Sequence, residues 1–133
     1  MAWYSTTLAG VALIVAASCT TASAQMPKRV GACSTSTIKA IGTRFSDKLV
    51  EPKQGEPGEG TSVELGNGVY GISYDYVPQV GRSRIGDRVM TCLASVPKGC
   101  PKGDNRGKFY TTTNLRTQES WTLPDSQHMC GGA

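Results

Sequence analysis

The stretch TSVELGNGVYGISYDYV, residues 61–77, alternates apolar and polar positions and predicts a β-hairpin. Val63 and Leu65 alternate with polar neighbours. Tyr70, Ile72 and Tyr74 share one face of the following strand, with Val69 and Ser73 on the other. Asn67-Gly68 predicts the turn between them, because both residues tolerate positive φ. Gly71 in mid-strand predicts a bulge or a close approach. DRVMTCLASVP, residues 87–97, predicts a third strand, β-branched and apolar, stopped by Pro97. KFYTTTNL (108–115) and SWTLP (120–124) predict a second hairpin around RTQE, and the run Thr111 to Thr113 favours strand over helix.

The segment 34–49, STSTIKAIGTRFSDKL, admits two readings. Ile38, Ile41 and Phe45 fit a helical stripe, whereas Gly42 weakens a helix and TIKAI fits a strand. We read it as strand. The pattern as a whole predicts a mainly β fold, a small antiparallel barrel or sandwich of five to six strands with little helix. EPKQGEPGEGTS, residues 51–62, is rich in Gly, Pro and Glu and has no apolar residue to pack, so it predicts a mobile loop inside the domain.

The beginning of the chain changes the picture. Its first 24 residues carry no Lys, Arg, Asp or Glu, and an apolar run extends from Leu8 to Ala17. Ala22, Ser23 and Ala24 follow in the A-x-A manner of a cleavage site, so residues 1–24 read as a secretory signal. The run is too short to span a bilayer, which takes about 20 apolar residues. No transmembrane segment is expected once the signal is removed. Cys19 within AASC offers a second address, a lipoprotein acylated at that cysteine. Ala16 stands where such sites usually carry Leu, and the cleaved signal is the preferred reading.

Residues 25–133 then form one β-rich domain by length, exported to the periplasm or beyond. They hold Cys33, Cys92, Cys100 and Cys130. An even number of cysteines in an exported chain predicts two disulfides, with three pairings possible. A zinc site is the competing reading, but no C-x-x-C pair is present, and neither a metal nor another cofactor is expected.

The net charge of +4 is unevenly spread. Between residues 82 and 108 lie Arg82, Arg84, Arg88, Lys98, Lys102, Arg106 and Lys108, opposed only by Asp87 and Asp104. Six of these, Arg82, Arg84, Arg88, Lys102, Arg106 and Lys108, are candidate contacts for an anionic envelope component or a protein. Solvated strand-edge charges are the plainer alternative. Aromatic residues do not interleave with the cations before Phe109 and Tyr110, so the signature of single-stranded nucleic-acid binding is poor. GDNRG, residues 103–107, suits a tight turn carrying a local Asp–Arg pair, or one that presents Arg106 to an anion.

Three stretches carry a family likeness: ISYDYVP (72–78), GDRVMTCLASVPKGCPKGDNRG (86–107) and NLRTQESWTLPDSQHMCGGA (114–133). CSTSTIKAIGTRF, from Cys33, matches less closely. In these the chain resembles small exported cysteine-containing proteins of unknown function from rhizobia and related alphaproteobacteria. The resemblance implies an exported, cysteine-bearing small domain and brings no activity with it.

The tail concentrates the remaining candidate chemistry: Trp121, Asp125, Ser126, Cys130 and His128, the only histidine. A hydrolase would use His128 with a nearby acid, but a triad needs contacts of about 3 Å that sequence neighbours rarely make. No G-x-S-x-G elbow, H-E-x-x-H, P-loop or dinucleotide fingerprint is present, so no catalytic residue is assigned. The preferred reading makes the tail a clasp. Trp121 covers one end of the core, Asp125 and Ser126 cap the following turn, and Cys130 ties the tail down. The expected function is a non-catalytic binding module using residues 82–108, with Tyr74, Tyr76 and Tyr110 exposed beside them. The alternatives are a small hydrolase using His128 and a structural envelope component.

Overall fold

A computed structural model describes Met1 and residues 24–132. The signal reading and Cys19 fall almost wholly outside these residues. Among them six strands, all pairing antiparallel, make one sheet: β1 (Cys33–Gly42), β2 (Thr61–Leu65), β3 (Tyr70–Ser73), β4 (Arg88–Ser95), β5 (Phe109–Asn114) and β6 (Ser120–Pro124). Their order is β3-β2-β1-β4-β5-β6, and the sheet curls into a half-barrel. Among the described residues one short helix, α1 (Pro78–Gly81), starts on proline and buries Val80 completely.

β1 is the hinge of the curl. Its first half, Cys33 to Thr37, pairs with β4, and its second half, Ile38 to Gly42, pairs with β2. A bulge at Lys39 separates the halves, since Ile38 lies opposite Leu65 and Ala40 opposite Glu64. The extra residue resets the alternation, so Ile38 and Ile41, three apart, both turn toward the core. That spacing is what imitated a helix in the sequence; Phe45, the third member of the stripe, is exposed.

The core lines the concave face: Ile38, Val63, Leu65, Val69, Val80, Val89, Leu93, Tyr110, Trp121 and Leu123. Thr91 and Thr112 sit among them, fully covered, and share a hydroxyl hydrogen bond of 3.1 Å, as buried polar groups must. The β2–β3 turn differs from a two-residue Asn-Gly turn. Gly68 alone has positive φ, and its N–H donates to Leu65 O, so residues 66–68 form a three-residue loop. Asn67 anchors it from the side chain, accepting from Val69 N at 3.1 Å and donating to Ser34 Oγ at 2.9 Å.

Residues 51–60 carry no strand or helix, and β2 begins at Thr61. The segment is pinned at its end, where Arg44 N donates to Glu59 O at 3.2 Å.

The half-barrel nearly closes. β3 and β6, its two edges, come within 8 Å of each other between Cα atoms, but no strand pairing joins them. Gly71 makes the approach possible: a Cβ there would lie 3.2 Å from both Leu123 and Val63. Gly71→Ala is therefore expected to wedge the seam and lower stability by about 1–2 kcal/mol. Thermal unfolding of the variant measures the loss, and an unchanged midpoint would mean that the seam is not packed.

Candidate functional site

The four cysteines pair as Cys33–Cys92 and Cys100–Cys130. Cys33 and Cys92 stand opposite each other on β1 and β4. Cys100 and Cys130 join the loop after β4 to the tail. Neither bridge leaves a thiolate for a metal or for nucleophilic chemistry.

The tail is a clasp, though its parts differ from those the sequence suggested. Asp125 does not cap its own turn. Its Oδ1 accepts from Gly107 N at 2.8 Å and Lys108 N at 3.0 Å, across to the loop before β5. Asp104 accepts from Gly131 N at 2.9 Å, and Cys130 N donates to Arg106 O at 3.1 Å. Ser126 does cap locally, accepting from His128 N at 3.3 Å. Trp121 is buried in the core. The His128 side chain is exposed and makes no hydrogen bond among the described residues. The clasp thus runs through Asp125, Asp104 and Cys130 and bypasses the imidazole. Asp125→Ala is expected to lose about 1–2 kcal/mol by orphaning two backbone amides, and His128→Ala less than about 0.5 kcal/mol. Parallel denaturant titrations check this, and a larger loss for His128→Ala would reverse the assignment.

The basic residues of 82–108 do not converge. β5 lies between two groups, whose ends are fixed by Leu115 N donating to Arg88 O and Asp125 N to Lys108 O. Six strand residues at about 3.3 Å each put roughly 20 Å between them. Lys102, Arg106 and Lys108 line an open depression together with Asp104 and Asp125. Arg106 is committed there, paired with Asp104 at 2.8 Å on the tight turn expected of GDNRG. That pairing, with the Gly131 amide, holds the Asp104 carboxyl well below the usual carboxylate range.

Arg82, Arg84 and Arg88 cluster at the opposite end, beside a polar network that the linear sequence hid. Arg82 makes a forked ion pair with Glu119, at 2.6 Å for the shortest contact. Arg116 pairs with Asp87 through both carboxylate oxygens at 2.8 Å. Asn114, fully buried, donates to Ser83 Oγ at 2.9 Å and Asp87 Oδ2 at 2.8 Å, and its Oδ1 accepts from Arg116 N and Thr117 N. Hydrogen bonds from Arg116, first, and from Asn114 and Arg84 N hold the Asp87 carboxyl far below its ordinary value, against the opposing effect of its burial. Glu119 is lowered in the same sense by Arg82. An asparagine at a strand end before a turn was a readable signal for Asn114. Nothing local announced the Arg116–Asp87 pair, 29 residues apart in sequence.

This network braces a turn. Arg84 N donates to Asp87 Oδ2 at 2.9 Å, Asp87 N donates to Arg84 O, and Gly86 supplies φ 91°. The turn tip holds Ile85, 68% exposed, between Arg84 and Arg88. Neither arginine has a carboxylate partner among the described residues. Leu115, also exposed, starts beside Arg88 O.

The tyrosines divide. Tyr74 is 51% exposed, Tyr76 packs against Gly81, and Tyr110 is buried in the core, contrary to the expectation that it lies open. Burial raises the Tyr110 hydroxyl's pKa. Tyr110 faces inward because β5 alternates regularly from Phe109 and Tyr110 stands opposite the buried Leu93 of β4.

No helix among the described residues is long and apolar enough to cross a membrane. No protein family, curated protein or solved structure matches this chain. The fold and the clusters above therefore carry the functional argument unaided.

Proposed function

We propose that this protein is an exported, non-catalytic binding module, which attaches to an anionic surface of the cell envelope. One observation carries the reading. Arg84 and Ile85 stand exposed on a turn held by Asp87, Asn114 and Arg116, Arg88 stands exposed just after it at the start of β4, and neither arginine has an ion-pair partner among the described residues. A braced turn presents charge without paying conformational entropy at the moment of contact. The isoleucine between two cations suits a headgroup layer, where an apolar side chain sinks and arginines stay at the phosphates. Two disulfides support an oxidising compartment.

Vesicles containing phosphatidylglycerol test the reading. At low salt the oxidised protein should sediment with them and release as salt rises. Arg84→Glu/Arg88→Glu should weaken binding at least about 30-fold, since each basic residue near an anionic surface contributes about 1 kcal/mol. Binding to a soluble anionic polysaccharide but not to vesicles would move the partner from lipid to glycan. Binding to neither would overturn the proposal.

A further inference from the structure

We infer that the arginine turn is one corner of a larger lipid-docking footprint, which runs onto the outer face of β4 and β5 and inserts Met90 and Leu115 beside Ile85. The inference rests on the envelope-binding reading of this end of the molecule. It commits that reading to one surface, an anionic bilayer.

Strand register builds the footprint. On β4 Val89, Thr91 and Leu93 turn inward, so Arg88 and Met90 project from the convex side. On β5 Tyr110, Thr112 and Asn114 turn inward, so Thr111 and Thr113 project outward, and Leu115 continues that outward series. Met90 lies opposite Thr113. One step past the Val89–Asn114 pair, Leu115 N donates to Arg88 O at 2.9 Å. Leu115 is therefore the cross-strand neighbour of Arg88, and Met90 follows Arg88 on the same face. Met90 is 40% exposed and Leu115 42%. Asp87 N, donating to Arg84 O, folds Ile85 back toward the same strand end. Three exposed apolar side chains thus flank one arginine.

The platform is pre-formed. Asn114 donates to Ser83 Oγ at 2.9 Å and Arg116 to Arg82 O at 2.9 Å, so the turn that carries Ile85 and the loop that begins at Leu115 move as one piece. Little ordering remains to be done on contact.

Charge selects the occupant. Glu119 is taken by Arg82, Asp87 by Arg116, and on the adjoining strands Glu64 by Lys39. Arg84 and Arg88 have no carboxylate partner among the described residues. Cationic charge is in excess where the apolar side chains emerge. An anionic bilayer satisfies both, with guanidinium groups at the phosphates and apolar side chains below them. A soluble polyanion would use the arginines and leave Met90 and Leu115 in water. Further along the outer face the pattern stops. Thr111 bonds Thr122 at 2.8 Å, Thr113 bonds Ser120 at 2.7 Å, and β5 and β6 carry no Lys or Arg.

The probe is the oxidised protein with phosphatidylglycerol vesicles. Met90→Ser/Leu115→Ser should bind at least about 10-fold more weakly at every salt concentration, since burial of the exposed parts of both side chains is lost. Its salt dependence should match the parent's, because no charge has changed. Its unfolding midpoint should stay put, both sites being exposed. Leu115→Trp keeps an apolar group and reports its depth: brominated acyl chains should quench its emission, with buried Trp121 as the common background. Thr111→Trp, about 13 Å further along the same face, should escape quenching. A parent that ignores the vesicles would overturn the envelope reading and this inference together. A parent that binds through Arg84 and Arg88, while Met90→Ser/Leu115→Ser binds equally well or Leu115→Trp goes unquenched, would overturn this inference alone. Equal quenching at 111 and 115 would also overturn it, because the contact would then cover the whole face.

Discussion

Cys33→Ser/Cys92→Ser is expected to lose about 4 kcal/mol, enough to leave a large share of the chains unfolded at physiological temperature. The bridge closes a loop of 59 residues, and chain entropy alone gives a loss of that size. Its position adds to the case. It ties the start of β1 to β4, and the β1–β4 ladder is the join between the two halves of the curled sheet. The core offers little reserve, because a domain this small buries only a limited share of its surface. Cys100→Ser/Cys130→Ser should cost somewhat less, about 3.5 kcal/mol for a loop of 30, and should release the tail from the 100–108 loop. Chemical denaturation of each double variant measures both losses. A Cys33/Cys92 variant as stable as the parent would mean that the sheet closes without its staple.

Asn114→Ala is the second large effect, a loss of about 3 kcal/mol. The amide has all its donors and acceptors satisfied, so truncation strips four hydrogen bonds and leaves Ser83 and Asp87 under-satisfied in a covered site. Asn114→Asp makes a sharper test because the shape is kept. A carboxylate oxygen would replace the nitrogen that lies 2.8 Å from Asp87 Oδ2. Two carboxylates so close cannot both ionise, and one pKa rises. A raised pKa contributes stability at low pH and loses it as pH increases, so this variant should be most destabilised near neutrality and recover toward pH 4. The parent protein should do the reverse. Its Asp87, Asp104 and Glu119 are all lowered by their arginine partners, so the stability they add is present above the ordinary carboxylate range and is lost as pH falls below about 4. Unfolding midpoints of both proteins across pH 3–8 check the crossing of the two profiles. Parallel profiles would mean that Asn114 does not touch Asp87.

The strands were legible because alternation, β-branched runs and turn residues act over a few neighbours. Val63 and Leu65, the triple threonine and Pro97 each marked its element correctly. What stayed hidden depends on distant partners. Whether β1 is strand or helix turned on a single extra residue at Lys39, which no local pattern separates from a helical stripe. Four cysteines are countable, but their pairing requires the register of β1 against β4. The basic run 82–108 looked like one patch because sequence distance hides that a strand and its return carry the chain to the opposite end of the sheet. Asp125 looked like a local cap, although the amides it serves lie 17 and 18 residues upstream. The seam between β3 and β6 exists only once all six strands are in order.

The central claim is that binding resides at the arginine turn and not in the basic composition at large. The most direct measurement compares two charge reversals of equal size at the two ends, Arg84→Glu/Arg88→Glu and Lys102→Glu/Lys108→Glu, for affinity to phosphatidylglycerol vesicles at one fixed salt concentration. The account predicts that the first loses at least about 30-fold and the second less than about 5-fold, through general charge alone. Equal losses from the two would contradict it, because binding would then follow net charge and the braced turn would have no special part.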